Sequence, residues 1–148
     1  MQNRKIKIQH VGLLAAIPEE LGSILDNLQN TFISKYGDME LYSGEWITEK
    51  GNKILITAGW SGWGKVSAAR STTRMIQTLY KEKKVDLIIF TGVAGSANKD
   101  LKKWDIVVSE CIMQHDMDAR PIFDKFVIPA LDTKKIYCNK LLVDLVFN

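Results

Sequence analysis

The N-terminal region changes from an alternating pattern to a continuous apolar run and then to a helical spacing. Residues 5–10 alternate polar and apolar, and residues 11–16 are apolar throughout, as in a strand that enters the covered middle of a sheet. Pro18 suits a first helical turn, and Glu19 and Glu20 suit the positive end of the helix dipole. The pattern predicts a strand, a turn and a helix whose apolar stripe is Leu21, Ile24, Leu25 and Leu28.

The rest of the chain continues as strands and helices. Strands are predicted at 39–47 and 53–57 around a Gly51-Asn52 turn, and further strands at 85–90 and 104–113. A glycine-rich segment at 59–65 leads into a helix with the expected buried face Val66, Ala69, Thr73, Ile76 and Leu79 or Tyr80. Asn139 begins a final helix, which is either cut short or capped by Asn148.

Alternation of apolar strands with helices predicts an α/β sandwich built on a mixed or mostly parallel sheet. In such sheets ligands bind where the carboxyl ends of the strands open into loops.

Composition places the chain among soluble globular proteins of one domain. Of its 148 residues, 46% are hydrophobic and 25% charged, and the net charge of +3 comes from scattered lysines, which disfavours nucleic acid as a partner. No apolar run reaches the roughly 18 residues of a membrane span, and the signal-like start runs into Pro18, which disfavours export. Cys111 and Cys138 lack zinc-ligand spacing, so reduced thiols and a cytoplasmic location are expected.

The segment Gly59 to Lys65 comes close to a phosphate-binding loop. Val66 stands where that motif needs a hydroxyl, which disfavours nucleotide triphosphate hydrolysis. Two interpretations stay open: the amides of the turn bind an anion or a sugar edge, or the glycines serve close packing of strand and helix.

Other candidate motifs are weak when taken singly. The small residues at 91–95 would let backbone approach a ligand, but any tight turn uses such residues. Glu19 and Glu20 taken alone are best explained by the helix dipole. His115, Asp116 and Asp118 would not share one strand face, so no closed metal site is expected.

Two tryptophans lie near the glycine-rich segment. Trp60 and Trp63 would suit either stacking on a purine or the core, and burial is favoured because large apolar surfaces are usually buried. No Ser-His-Asp or Cys-His order stands out.

Five segments taken together, in this order, resemble the purine nucleoside phosphorylase superfamily. The most similar branch is the hydrolytic one, the 5'-methylthioadenosine/S-adenosylhomocysteine nucleosidases. The segments are GLLAAIPEE at 12–20, SGWGKVSAA at 61–69, TGVAG at 91–95, WDIVVS at 104–109 and HDMDA at 115–119. The resemblance implies a three-layer α/β/α sandwich with a mixed central sheet, formed as one domain over 1–148 that is incomplete at its C-terminal end.

The resemblance also implies an activity and its residues. It implies hydrolysis of the N-glycosidic bond of methylthioadenosine, S-adenosylhomocysteine or related adenine nucleosides by a cytoplasmic homodimer without cofactor or metal. Glu20 is then the catalytic glutamate that activates water. The sugar and water side of the pocket is lined by Ile17, Trp63, Val93, Ala94 and Gly95. A segment near the dimer interface, which closes over the partner's site, contains His115, Asp116, Met117, Asp118 and Phe123.

Residue chemistry agrees with part of this expectation. Loss of a purine from ribose passes through a cation-like sugar, which needs an activated water and an acid for the departing base. Glu20 supplies the first, whereas the aspartate that the family uses as the acid has no counterpart here, nor have the family's methionine-glutamate pair and adenine-stacking aromatic residue. The chain alone is therefore expected to have reduced activity or none.

Two alternatives remain at this point. A nucleoside phosphorylase would need cations around phosphate, yet residues 11–30 contain no arginine or lysine and Val93 replaces a hydroxyl found in many relatives. Arg70, Arg74 or Arg120 would have to arrive from elsewhere. The second alternative is a non-catalytic remnant that dimerises or binds nucleoside.

Overall fold

The computed structural model describes residues 7–146, which fall into two compact units. The first ends at Gly95 and the second begins at Ser96. The elements of the first unit are β1 His10–Ala15, a 3₁₀ helix Pro18–Leu21, α1 Ile24–Asn27, β2 Gln29–Tyr36, β3 Met39–Ile47, β4 Lys53–Trp60, α2 Lys65–Gln77, β5 Leu79–Tyr80, β6 Lys83–Lys84 and β7 Leu87–Phe90.

A mixed five-stranded sheet forms the centre of the first unit. Its strand order is β2-β3-β4-β1-β7. β1 runs parallel to β4 and to β7, whereas β3 is antiparallel to β2 and β4. The three parallel strands therefore end at the same edge, and the expected mixed sheet is confirmed.

The core lies on both faces of this sheet. Leu13 and Leu14 are neighbours on β1 and point to opposite faces. Leu13 packs with Ala15, Leu21 and Ala58 beside the 3₁₀ helix and α1, whereas Leu14 packs with Met39, Leu41 and Met75 beside α2. Helices thus cover both faces of the sheet, and the expected three layers are confirmed. α2 comes so close to β1 that a Cβ on Gly12 would lie 2.7 Å from Met75 Sδ.

The predicted helix after Pro18 is broken in two. Gly22 has a φ of 56°, which ends the 3₁₀ helix and leaves α1 a single turn. Leu21 and Leu28 are nevertheless buried, so the stripe faces inward as predicted. The unpredicted strand β2 follows, with nearly every side chain exposed.

The predicted buried face of α2 was wrong at Val66, Ala69, Thr73 and Ile76, whereas Tyr80, one of the two residues expected to continue it, is buried. Ser71 and Met75 are the buried residues of α2, and Thr78 continues that face. Val66 is 85% exposed and Ile76 53% exposed. Met75 packs against Gly12 where α2 approaches β1 most closely, and the small polar Ser71 lies one turn before it on the same face.

The second unit contains little regular structure. β8 Cys111–Ile112 pairs with β9 Ile136–Tyr137, and α3 spans Lys140–Val146. The predicted strand at 104–113 was wrong apart from Cys111 and Ile112, because residues 104–110 find no strand to pair with in the described range. Asn139 caps α3 through its side chain, as predicted, and Asn148 lies outside the described residues.

Across residues 7–146, every helix is too short or too polar to cross a membrane. The predicted single domain is not tested by these observations and stays a prediction.

Candidate active site

Three loops meet at the carboxyl ends of the parallel strands β1, β4 and β7. These strand-end segments are residues 16–20, which include the first residues of the 3₁₀ helix, and the loops 61–64 and 91–95. The backbone N–H of Ser61 donates to the carbonyl of Ala15 at 2.9 Å, and that of Thr91 donates to the carbonyl of Leu14 at 2.9 Å. The end of β1 therefore holds both neighbouring loops beside its own.

Glu20 links two of these loops through its carboxylate. Its Oε2 accepts the backbone N–H of Ala16 at 2.9 Å and that of Ile17 at 3.2 Å. Its Oε1 accepts the backbone N–H of Val93 at 3.0 Å. The carboxylate thus joins the loop after β1 to the loop after β7. The bond back to Ile17 follows from Glu20 being the third residue of the 3₁₀ helix, as in a capping box.

These hydrogen bonds keep Glu20 ionised. The bond from Val93 lowers the pKa of the carboxyl most, the bonds from Ala16 and Ile17 lower it further, and partial desolvation opposes them. Each donor stabilises the charged form, because an N–H can donate to a carboxylate but not to its protonated oxygen. The site therefore holds a carboxylate in a fixed orientation at neutral pH.

The other predicted pocket residues lie in the same loops. Ile17 is half-buried next to Glu20, whereas Val93, Ala94 and Gly95 are exposed in the loop after β7. Trp63 is 81% exposed at the end of the glycine-rich loop. The expectation that Trp63 belongs to the core was therefore wrong, while Trp60 is half-buried and stacks on Tyr42 with ring centroids 5.8 Å apart.

The three arginines considered for phosphate binding have other partners. Arg70 forms a salt bridge with Asp38 at 2.8 Å, and Arg74 lies over the ring of Tyr36 at 4.9 Å. In the second unit, Arg120 pairs with Asp118. Each of the three therefore has a partner other than Glu20.

The predicted dimer-loop residues all belong to the second unit. Asp118 accepts two bonds from the Arg120 guanidinium, at 2.9 and 2.5 Å, and this partner lowers the pKa of Asp118 to about 2. Met117 and Phe123 are half-buried, and His115 and Asp116 are exposed. Within residues 7–146 there is no cluster of three or more histidine, cysteine or carboxylate side chains that would hold a metal ion.

Sequence reasoning missed how closely the loop after β7 approaches Glu20. The donors are backbone groups of Ala16 and Val93, which no side-chain motif marks. The available signal was the glutamate three positions after Ile17, which is the spacing of a capping interaction.

Residues 10–148 match the family model described as the phosphorylase superfamily. The chain belongs to the phosphorylase superfamily. Its resemblance to that superfamily and its fold class are therefore confirmed.

Curated proteins show which members of the phosphorylase superfamily this chain is similar to. A 5'-methylthioadenosine/S-adenosylhomocysteine nucleosidase from Staphylococcus saprophyticus is 36% identical over 110 residues, covering 74% of this chain and 44% of that protein. The chain thus spans less than half the length of this curated relative.

Solved structures agree with these sequence relatives. A nucleosidase of the same name from Colwellia psychrerythraea, in complex with adenine, superposes with a TM-score of 0.78 at 25% identity over 93% of this chain and 53% of that one. A futalosine hydrolase from Helicobacter pylori gives a TM-score of 0.79 at 29% identity over 95% of this chain and 57% of that one.

Proposed function

We propose that this chain is part of a nucleosidase that hydrolyses the N-glycosidic bond of 5'-methylthioadenosine, S-adenosylhomocysteine or a related adenine nucleoside. The observation that carries the proposal is the Glu20 carboxylate, held by backbone N–H groups where three parallel strands end. The similar proteins named 5'-methylthioadenosine/S-adenosylhomocysteine nucleosidase support this class of substrate.

The hydrogen bonds between Glu20 and the two loops also bear on whether water or phosphate is the nucleophile. Backbone N–H groups of Ala16, Ile17 and Val93 converge as donors that would suit an anion. The Glu20 carboxylate already accepts these three N–H groups. A phosphate would have to displace the carboxylate from them and would then be repelled by its negative charge. Together with the engaged arginines, this arrangement favours water over phosphate as the nucleophile.

Glu20 acts as the general base in the proposed reaction. As the bond between ribose and adenine breaks, the sugar becomes cation-like, and a water oxygen bonds to the same carbon while its proton passes to the carboxylate. Exposed side chains of Val93 and Trp63 would meet the nucleoside beside Glu20, together with Ile17, Ala94 and Gly95. The departing adenine needs a proton, and the family aspartate for that step has no counterpart in this sequence.

We further propose that the protein acts as a cytoplasmic homodimer. Support for the dimer comes from the family likeness and from exposed apolar side chains such as Ile122, which is 83% exposed next to the dimer-loop residues. The segment from His115 to Phe123 would lie near the interface and close over the partner's site. The free thiols of Cys111 and Cys138 suit a reducing compartment.

The test is to incubate the purified 148-residue chain with methylthioadenosine, S-adenosylhomocysteine or futalosine and to measure release of the free base. Glu20→Gln should reduce adenine release by about 10²- to 10⁴-fold, because a general base contributes that much. Glu19→Gln is the matched control, since Glu19 is an exposed carboxylate one residue away.

Each outcome of this assay has a clear meaning. Equal adenine release by Glu20→Gln would contradict the role of Glu20. Release that depends on added phosphate and yields a sugar phosphate would favour the phosphorylase. Absence of release from folded chain, checked by circular dichroism, would contradict catalysis by these residues alone, and the same assay would then be applied to a longer chain that contains them.

A further inference from the structure

Gly92 lies against the carboxyl group of Glu20. A Cβ placed on Gly92 would lie 2.8 Å from Glu20 Oε1, 3.1 Å from Cδ and 3.3 Å from Oε2. Real Cβ atoms essentially never come within 3.0 Å of such an atom. The whole carboxyl group therefore occupies the space that a side chain at position 92 would need.

Backbone conformation does not explain this glycine. Gly22, Gly37, Gly51, Gly62 and Gly64 are the glycines with positive φ in the described range, and Gly92 is not among them. An alanine could adopt the backbone conformation of Gly92, so the requirement is for space. Gly95 in the same loop also lacks a positive φ, yet a Cβ there would have nothing within 4 Å.

We propose that Gly92 is a positioning residue for Glu20. By carrying no side chain, Gly92 allows the carboxylate to lie against the loop after β7 and to accept the N–H of Val93, the next residue. The catalytic meaning of this role rests on the proposed function of Glu20.

The contact with Gly92 fixes which oxygen of Glu20 faces which loop. Oε2 accepts the backbone N–H groups of Ala16 and Ile17 after β1, and Oε1 accepts the backbone N–H of Val93 after β7. A Cβ at position 92 would press most on Oε1, and also on Cδ and Oε2, so it would push the carboxylate away from Val93. The carboxylate would then turn toward solvent, and a water held by Oε1 would move with it.

The first test is a pH titration of the Glu20 side chain by carbon-13 NMR, with Glu20→Gln used to assign the resonance. Gly92→Ala should shift the Glu20 titration to higher pH, because the Val93 bond is the largest cause of its lowered pKa. Gly95→Ala is the matched control and should leave the titration where it is. An unchanged titration in folded Gly92→Ala would overturn the proposal.

A second test covers the case in which Gly92→Ala does not fold. The urea midpoint of unfolding is measured for Gly92→Ala in the native chain and in a Glu20→Ala background. Restored folding, or a clearly smaller loss of midpoint, in the Glu20→Ala background would support crowding by the carboxylate. An equal loss in both backgrounds would overturn the proposal, since the backbone alone would then need glycine. Neither test requires turnover, so a failure of the proposed hydrolysis would leave both results interpretable.

Discussion

In the proposed reaction Glu20 would serve as a base, in addition to joining two loops through its hydrogen bonds. Its lowered pKa keeps it ionised, but it also makes the carboxylate a weaker base than one whose pKa lies near the working pH. Placement must therefore contribute much of its effect, through an oxygen held beside the reacting water. A bound nucleoside would also exclude solvent from the carboxylate, which raises its pKa and strengthens it as a base.

The hydrogen bonds that Glu20 accepts from two loops predict a pH-dependent contribution to stability. Because the pKa of Glu20 is lowered in the folded chain, its contribution is fully present above the ordinary glutamate value of about 4.3 and is lost as pH falls through the folded pKa. We expect Glu20→Gln to destabilise the chain at pH 6 and to approach native stability at lower pH. Urea unfolding across this range measures the difference.

Glu19→Gln is the control for this pH series, since it removes an exposed carboxylate from the same short helix. Its stability profile should run parallel to that of the native chain. A constant difference between Glu20→Gln and the native chain at every pH would show that the lost packing, and not the charge, is responsible.

At the scale of elements, buried polar side chains tie neighbouring strands together. Thr57 on β4 shares its hydroxyl with His10 Nε2 on β1 at 2.8 Å and with Ser43 Oγ on β3 at 2.7 Å. All three side chains are fully buried. His10 Nδ1 carries a hydrogen, because its partner at 3.0 Å is the carbonyl of Lys83, which can only accept. His10, Thr57 and Ser43 therefore form a row of hydrogen-bonded side chains that crosses three strands of the sheet.

Thr57→Val should break this row without changing its volume. The substitution leaves His10 Nε2 and Ser43 Oγ buried without the hydroxyl that they share, which should cost about 1–3 kcal/mol of unfolding free energy. Thr73→Val, on the exposed face of α2, should change the free energy by less than about 0.5 kcal/mol. Equal effects of the two substitutions would contradict a stabilising role for the row.

A buried carboxylate connects the sheet to the short β5–β6 hairpin. Glu45 on β3 accepts bonds from Lys81, from Asn30 at 2.7 Å and from Lys53 at 3.1 Å, and Lys81 is the largest cause that lowers its pKa to about 2. Its contribution to stability is therefore present above about pH 4.3 and is lost as the pH falls toward 2.

Lys81→Met should raise the pH at which the chain unfolds in acid. Without its strongest partner, Glu45 takes up a proton at higher pH in the folded state, so the loss of stability begins earlier. Circular dichroism during an acid titration measures the midpoint, and Lys84→Met, on β6 of the same hairpin, is the control. An unchanged midpoint for Lys81→Met would contradict this connection.

The sequence pattern predicted β1, β3, β4 and the edge strand β7, but it missed the other edge strand, β2. β1 followed from its apolar run, and β3 and β4 followed from two strand-like segments around the Gly51-Asn52 turn. The outward face of α2 could not be predicted, since Val66 and Ile76 have the spacing of a buried stripe. Periodicity identifies a face that is apolar but does not identify which neighbour covers it. Likewise, residues 104–110 have strand-like apolar positions but no strand to pair with in the described range.

The candidate site was predictable only in part for a related reason. Glu20 was singled out by resemblance, whereas taken alone it is indistinguishable from any acidic residue in a first helical turn. Its bond to Val93 spans 73 positions of sequence, and it depends on β1 and β7 being adjacent in the sheet. Sequence spacing carries no signal for such a contact.

At the scale of the whole molecule, burial is distributed unevenly. Both apolar clusters of buried side chains lie in the first unit. In the described part of the second unit, Ile128 is the one buried residue, and large side chains such as Trp104 and Ile106 are each 86% exposed. Since hydrophobic burial is the main favourable contribution to folding, most of the stability should reside in the first unit.

Hydrogen exchange on the intact chain tests this distribution. The slowest amides should belong to β1, β3 and β4, and residues 96–146 should exchange faster, because few of their hydrogen bonds are covered by buried apolar groups.

Leu14→Ala should cost about 2–5 kcal/mol and accelerate exchange in the sheet. Ile128→Ala should accelerate exchange only around the bridge between Ile128 and Thr133. Acceleration in β1 by Ile128→Ala would instead mean that both units unfold together, as one domain over residues 1–148 requires.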